Sequence, residues 1–323
     1  MATILITGGT GLVGSALTKA LLAKGHKVII IGRGTKESRK QAAVSGLEFA
    51  KWDLQKQEID AAAFGKADVI IHLAGAGVAD KRWTTERKKE IVDSRVNSGA
   101  LLVKSLDILP NKIKTVISAS AIGWYGADQK AENNSFEKFT ENDRPSNDFL
   151  GETCRKWEES IEPVISMGLR LVKLRIGIVL STEGGALKEF LKPLRFGIAS
   201  ILGSGRQIIS WVHIDDLVNM FLKAVEDETF SGVYNAVAPA PVSNRDLILS
   251  LAKARKSFYI PVPVPSFILK LMLGEMSVEI LKSATVSAEK IQGAGFNFIY
   301  PDIKSAVRSF FYQPQKGLGS IVE

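Results

Sequence analysis

The chain has 323 residues, 46% hydrophobic and 24% charged, a globular composition that excludes a disordered or fibrous protein and suffices for one large core or a core plus a smaller lobe. Its single cysteine, Cys154, excludes an internal disulfide; with no secretory pattern at the start and no apolar run of membrane-spanning length, a cytoplasmic protein is expected, without a membrane partner. The 42 Lys and Arg against 34 Asp and Glu leave a net charge of +8, but these charges are scattered, without a basic run or interleaved aromatics, so they predict a solvated surface and no nucleic-acid partner.

In chain order, residues 3–7 (TILIT) form a short apolar strand, followed by a glycine-rich turn and a helix over 15–24. Val28, Ile29, Ile30 and Ile31 make a second strand, 49–52 a third and 68–73 (DVIIHL) a fourth. The spacing predicts a long helix over 87–106, a fifth strand over 115–119 and a sixth, unusually long, over 169–180. Strands apolar on both faces and separated by helices predict a doubly wound parallel α/β sheet.

Beyond residue 180 the pattern changes. Gly184, Gly185, Gly197, Gly203 and Gly205 break the chain into loops. One strand is expected over 208–213, and another over 232–238 that rejoins the main sheet. Pro239, Pro241, Pro261, Pro263 and Pro265 mark a second lobe, and 267–281 reads as one apolar helix serving as lobe core or lid. The expected organisation is a nucleotide domain over 1–180, with 208–238 rejoining it. A smaller α/β lobe comes from 181–207 and 239–310, and 311–323 is a flexible tail.

The strongest motif is Thr7-Gly8-Gly9-Thr10-Gly11-Leu12-Val13-Gly14, placed between a strand and a helix. Gly8 serves a tight turn, Gly11 lets backbone amides approach a pyrophosphate at the helix N-terminus, and Gly14 lets helix and sheet approach closely. Such a fingerprint marks a dinucleotide-binding Rossmann fold. Where an NAD-binding protein places a carboxylate at the end of the second strand, this chain has Gly32-Arg33-Gly34 with Lys36 close behind. A guanidinium there suits a 2′-phosphate, so NADP(H) is the expected cofactor. Asp53 and Leu54 end the third strand on the adenine side, and Leu73, Ala74 and Gly75 supply small residues where backbone meets cofactor. The three histidines, His26, His72 and His213, are too scattered for a metal site. His72 reads as a core residue, while Asp215 and Asp216 organise a helix start.

Taken together, TGGTGLVG, LAG at 73–75, SASAIGWYG at 118–126, LRIGIVL at 174–180 and WVHIDD at 211–216 resemble the extended short-chain dehydrogenase/reductase superfamily. RW at 82–83, SR at 94–95, CRKWEE at 154–159 and GFNFIYPD at 295–302 narrow the likeness to its atypical branch of epimerase family proteins, similar to NAD-dependent epimerase/dehydratases. The resemblance runs to about residue 310. It implies an NADP(H)-binding Rossmann domain with a smaller C-terminal substrate lobe, and it adds Arg82 and Ile178 to the cofactor set, with Arg95 near the cofactor or an acidic substrate.

The superfamily's Tyr-x-x-x-Lys dyad is missing, however. Phe149 stands at the Tyr position and Thr153 at the Lys position. Tyr300 to Lys304 and Tyr312 to Lys316 repeat the spacing far from the sheet and read as coincidence. Ser120 matches the superfamily's substrate-polarising serine, and Tyr125 is a candidate substitute acid. Arg195 and Arg206 in the second lobe are available to an anionic group of a small-molecule substrate. The expectation is an NADP(H)-dependent oxidoreductase or nucleotide-sugar-epimerase-like enzyme, with a homodimer compatible; the alternative is a catalytically silent NADP(H)-binding regulator or scaffold.

Overall fold

The computed structural model describes residues 1–34, 44–129 and 137–311; Lys36, Tyr312, Lys316 and nearly all of the expected tail lie outside them. The first lobe alternates strand and helix: β1 (Thr3–Thr7), α1 (Leu12–Ala23), β2 (Lys27–Gly32), β3 (Leu47–Asp53), β4 (Glu58–Ile59), α2 (Ala61–Lys66), β5 (Val69–His72), α3 (Thr85–Ile108), β6 (Thr115–Ala121), α4 (Phe149–Ile161) and β7 (Arg170–Ile176). These strands and β12 (Gly232–Ala236) form one eight-stranded sheet in the order β12-β7-β6-β5-β1-β2-β3-β4. All pairs are parallel except the β3–β4 hairpin. β1 has β2 on one side and β5 on the other, so strand order reverses there and opens a crevice at the carboxyl ends.

Period-two alternation divides the core between the sheet's faces. Ile4, Ile6, Ile30 and Ile71 pack with Leu17 and Leu21 of α1 and with Leu217 and Phe221 of α6 (Ile214–Glu226). Leu5, Ile29, Ile31 and Ile70 pack with Phe64 of α2 and with Leu101, Leu102 and Leu106 of α3.

Three expectations are corrected. The expected sixth strand is two: β7 stays in the main sheet, whereas β8 (Ile178–Ser181) turns away at Gly177 to pair with β11 (Trp211–His213). The expected strand over 208–213 is likewise divided, since β10 (Ile208–Ile209) pairs with β13 (Val242–Ser243); of the 208–238 segment, only β12 joins the main sheet. Finally, the expected helix over 267–281 breaks into α8 (Ser266–Leu273) and α9 (Ser277–Leu281). Gly274 adopts φ 61° between them, and a Cβ on it would lie 2.8 Å from Arg82 Nε, so only glycine fits that left-handed turn.

The second lobe has its own core. Leu187 and Leu194 of α5 (Gly185–Leu194), Ala199 of β9 (Ile198–Leu202), and Leu247 and Leu251 of α7 (Asn244–Ala254) are buried together, with Ala306 and Val307 of α11 (Ile303–Phe311). β9 pairs in parallel with β14 (Ile260–Val264), and a short helix α10 (Glu289–Gly293) precedes the C-terminal segment. That segment returns to the first lobe: the buried carboxylate of Asp216, in the first turn of α6, accepts the Ile299 N–H at 2.8 Å and the Tyr300 N–H at 3.0 Å.

Candidate functional site

At the switch point, Gly11 N donates to the Gly8 carbonyl at 3.0 Å, closing the turn between β1 and α1. Gly8 holds φ 71° with its Cα against the Leu73 backbone, and a Cβ on Gly14 would collide with the Gly8 carbonyl. The N-cap of α1 is Gly11, with no side-chain cap and no acidic residue in the first turn. The positive end of this helix therefore has no anion of its own and faces the crevice through the amides of Leu12 and Val13.

Thr7 ties the turn to the neighbouring strand end. Its Oγ1 accepts the Leu73 N–H at 3.1 Å and the Ala74 N–H at 3.2 Å, and lies 2.7 Å from Nδ1 of the fully buried His72. Burial, then the Arg95 charge, pushes the His72 pKa down to about 3, so it is neutral and structural. The loop after β5 is pinned by α3: Arg95 donates to Ala76 O at 3.0 Å, Arg87 to Gly77 O at 2.5 Å, and the Ala76 N–H to Ser94 Oγ at 2.9 Å. Arg95 is thus buried as a backbone clamp, with its guanidinium 4.9 Å from the Trp157 ring.

At the outer side of the crevice, Arg33 is exposed immediately after β2. Register pairs Gly32 with Lys51 on β3, and the Lys51 side chain lies against Gly34. Lys51 is a second cation at this edge that was missed; its signal was period-two alternation on β3 combined with the parallel register. The Asp53 carboxylate caps its own turn, accepting from Lys56 N at 3.1 Å and Gln55 N at 2.9 Å, and those bonds hold it below the usual carboxylate range. Half-buried Leu54 packs beside the Ile31 and Trp52 cluster. Arg82 is exposed and packs on the Gly274 turn of the second lobe. Ile178 opens β8 and is 40% exposed.

Ser120, near the carboxyl end of β6, and Tyr125 share a buried network. The Ser120 hydroxyl donates to Glu158 Oε1 at 2.8 Å; Glu158 also accepts Arg175 Nε at 2.8 Å and lies 3.1 Å from Lys173 Nζ. Tyr125 donates to Asn235 Oδ1 at 2.6 Å and accepts from Arg175 Nη1 at 3.0 Å. It is 2% exposed, and burial pushes its pKa up to about 12. We expect Tyr125→Phe to cost about 1–2 kcal/mol of stability by stranding Asn235 and Arg175, a loss measurable by urea unfolding.

In the first turns of α4, the Thr153 hydroxyl donates to the Phe149 carbonyl at 2.6 Å, and the Phe149 ring meets Trp83 edge-on at 4.9 Å. Lys88 Nζ stands 5.1 Å from the Phe149 centroid and pairs with Glu275 from the second lobe. Arg195 and Arg206 lie at opposite ends of β9 and do not converge. Beside the glycine-rich turn is a cavity of about 960 Å³ whose lining includes Thr10, Leu12, Lys19, Glu183, His213 and Tyr300. Burial pushes the His213 pKa down to about 4, against the Asp215 charge, so it lines that cavity neutral. Among the described residues, no group of His, Cys, Asp and Glu forms a metal site, and no helix is long and apolar enough to cross a membrane.

The family model of the NAD dependent epimerase/dehydratase family matches residues 4–236, and a domain of unknown function (DUF1731) matches 264–310. This chain belongs to the NAD dependent epimerase/dehydratase family. Among its relatives is the epimerase family protein YfhF of Bacillus subtilis, 35% identical over 306 residues, covering 94% of this chain and 96% of the relative. The crystal structure of human epimerase family protein SDR39U1, solved with NADPH, superposes with a TM-score of 0.82 at 27% identity, covering 95% of this chain and 98% of that one. A UDP-glucuronic acid 4-epimerase from Bacillus cereus, in complex with UDP-glucuronic acid and NAD, shares the fold, with a TM-score of 0.77 at 19% identity over 96% of this chain and 98% of its own.

Proposed function

We propose that this chain binds NADP(H) across the switch point and acts in the cytoplasm as an oxidoreductase on a small polar substrate. The observation that carries this reading is the charge pattern of the crevice. The first turn of α1 has neither a side-chain cap nor an acid, and β2 is followed at once by Arg33, with Lys51 near it, where an NAD site would hold a carboxylate. Gly8 and Gly14 keep the turn free of side chains, so a diphosphate meets the amides directly. The NADPH in the SDR39U1 crystal structure supports the same assignment.

NADP(H), when bound, supplies or accepts a hydride. Reduction of a carbonyl makes the smaller demand on this chain. Epimerising a sugar requires a group in the fold that moves a proton at the reacting centre, which Phe149 cannot do, whereas in carbonyl reduction the alkoxide can take its proton from solvent water, which leaves as hydroxide. Calorimetry with NADPH and NADH, followed by NADPH-oxidation assays across carbonyl compounds and nucleotide sugars, tests the reading; absence of NADPH binding sinks it. Gly14→Ala is expected to weaken NADPH binding about tenfold or more, because the added methyl pushes α1 off the turn.

One observation favours a second reading, a catalytically silent NADP(H)-binding regulator: the hydroxyls of Ser120, Tyr125 and Thr153 are all engaged within the fold. Tight NADPH binding with no turnover on any substrate class, together with partner capture that differs between apo and NADPH-bound protein, selects it over the oxidoreductase.

A further inference from the structure

The second lobe sets two helix–turn–strand units side by side. α5 passes through Arg195, Phe196 and Gly197 into β9, and α7 passes through residues 255–259 into β14. Parallel pairing registers Ile198 with Ile260, and the Ile260 N–H donates to the Gly197 carbonyl at 2.8 Å. Phe196 and Phe258 each precede that pair by two residues, in the turns that lead into the two strands, so both rings stand at the same end of the strand pair. Ala199 and Ile201 on the opposite face are buried, with α5 and α7 packed on the same side as Ala199. The outer face is bare: Phe196 is 82% exposed, Phe258 81%, Ile260 55%, Ile198 40% and Val262 38%.

Three observations narrow what covers this face. The amide of Ile260 points to β9, so the outward amide positions of β14 fall on Pro261 and Pro263, which have no N–H, and a further strand cannot add to that edge. The charge on the two flanking segments is predominantly basic. Lys188, Lys192, Arg195, Lys253 and Lys256 are exposed, while the sole acidic residue in 186–197 and 251–262 is Glu189, paired with Lys192 at 2.7 Å. A two-fold contact with a second copy would set this basic collar against itself. The rings, exposed by four-fifths, also project outward rather than line a groove.

We propose that this edge docks on an anionic lipid bilayer, with Phe196 and Phe258 entering the headgroup region and the exposed lysines and Arg195 meeting lipid phosphate and carboxylate groups. Such contact lies in the interface and needs no helix that crosses it.

Co-sedimentation with vesicles tests this, using phosphatidylcholine alone and phosphatidylcholine mixed with phosphatidylserine. The full chain is expected to bind only the mixed vesicles, and less as salt rises. Phe196→Ser with Phe258→Ser should lower that affinity about tenfold per ring, and Arg195→Glu with Lys253→Glu should lower it by roughly fivefold or more per residue. NADPH affinity and circular dichroism should be unchanged in both variants, since these exposed residues touch neither core nor crevice. The proposal is overturned if the chain ignores mixed vesicles, or if the double Phe variant binds them as well as the parent. Light scattering that shows a dimer dissolved by the Phe substitutions would also overturn it, assigning the face to a second copy.

Discussion

Glu158→Gln is expected to lower the unfolding free energy by about 3–5 kcal/mol. Glu158 is 3% exposed and is the shared anion for Arg175 and Lys173, which are themselves buried. Glutamine keeps the shape and removes the charge, leaving Arg175 buried without a carboxylate and Lys173 with only the half-exposed Glu162. Burial alone would raise the Glu158 pKa; the hydrogen bond and charge of Arg175, the charge of Lys173 and the Ser120 hydroxyl outweigh it and hold the carboxyl below the usual range.

A group whose folded pKa is depressed contributes stability that is present above its unfolded pKa and is lost as pH falls through the folded value. The parent should therefore lose stability on acidification below the ordinary glutamate range, and Glu158→Gln should show a shallower loss over that interval. Urea midpoints across an acidic pH series measure both. Equal slopes in parent and variant would remove Glu158 as the source of the acid sensitivity.

The second large effect concerns cofactor choice. Replacing Arg33 and Lys51 together by Ala is expected to weaken NADPH binding about a hundredfold, since a charge-assisted bond to a phosphate contributes roughly 1.5–3 kcal/mol, while NADH affinity changes about twofold or less. Arg33→Asp should go further and reverse the preference, because a carboxylate there accepts from the ribose hydroxyls and repels the 2′-phosphate. Calorimetry with both dinucleotides distinguishes these outcomes. Parallel losses for NADPH and NADH would show that the two cations steer the ligand generally and do not read the additional phosphate.

Much of the first lobe was legible because its strands are apolar on both faces. Runs such as Val28 to Ile31 cannot be solvent-facing, and the glycine spacing from Gly8 to Gly14 makes sense only between a strand and a helix. The division of 169–180 was not legible, because strand-forming residues run on through Gly177 and periodicity carries no information about which neighbour each half will pair with. Gly274 was similarly hidden inside an otherwise helical run, since its left-handed turn answers to Arg82, a partner nearly two hundred residues away.

Ser120 and Tyr125 were selected from a strand-end motif, but their partners, Glu158 and Asn235, arrive from elements remote in sequence. A local signal for Glu158 did exist. On α4, Gly151, Cys154, Trp157, Glu158 and Ile161 are all buried, so a carboxylate stands in an otherwise uncharged stripe, where it must have a counter-ion.

The Asp216 clasp bears on how such a gene can be cut and still give a protein. The stretch matched by the epimerase/dehydratase model ends before the two amides that neutralise this carboxylate, and those amides lie in the stretch matched by the second model. A premature stop codon anywhere between them would yield a chain whose nucleotide half contains every strand of its sheet but carries an unanswered anion at the start of α6. That shorter chain is expected to be less stable than the full one, because it loses the segment that buries Asp216 and bonds it.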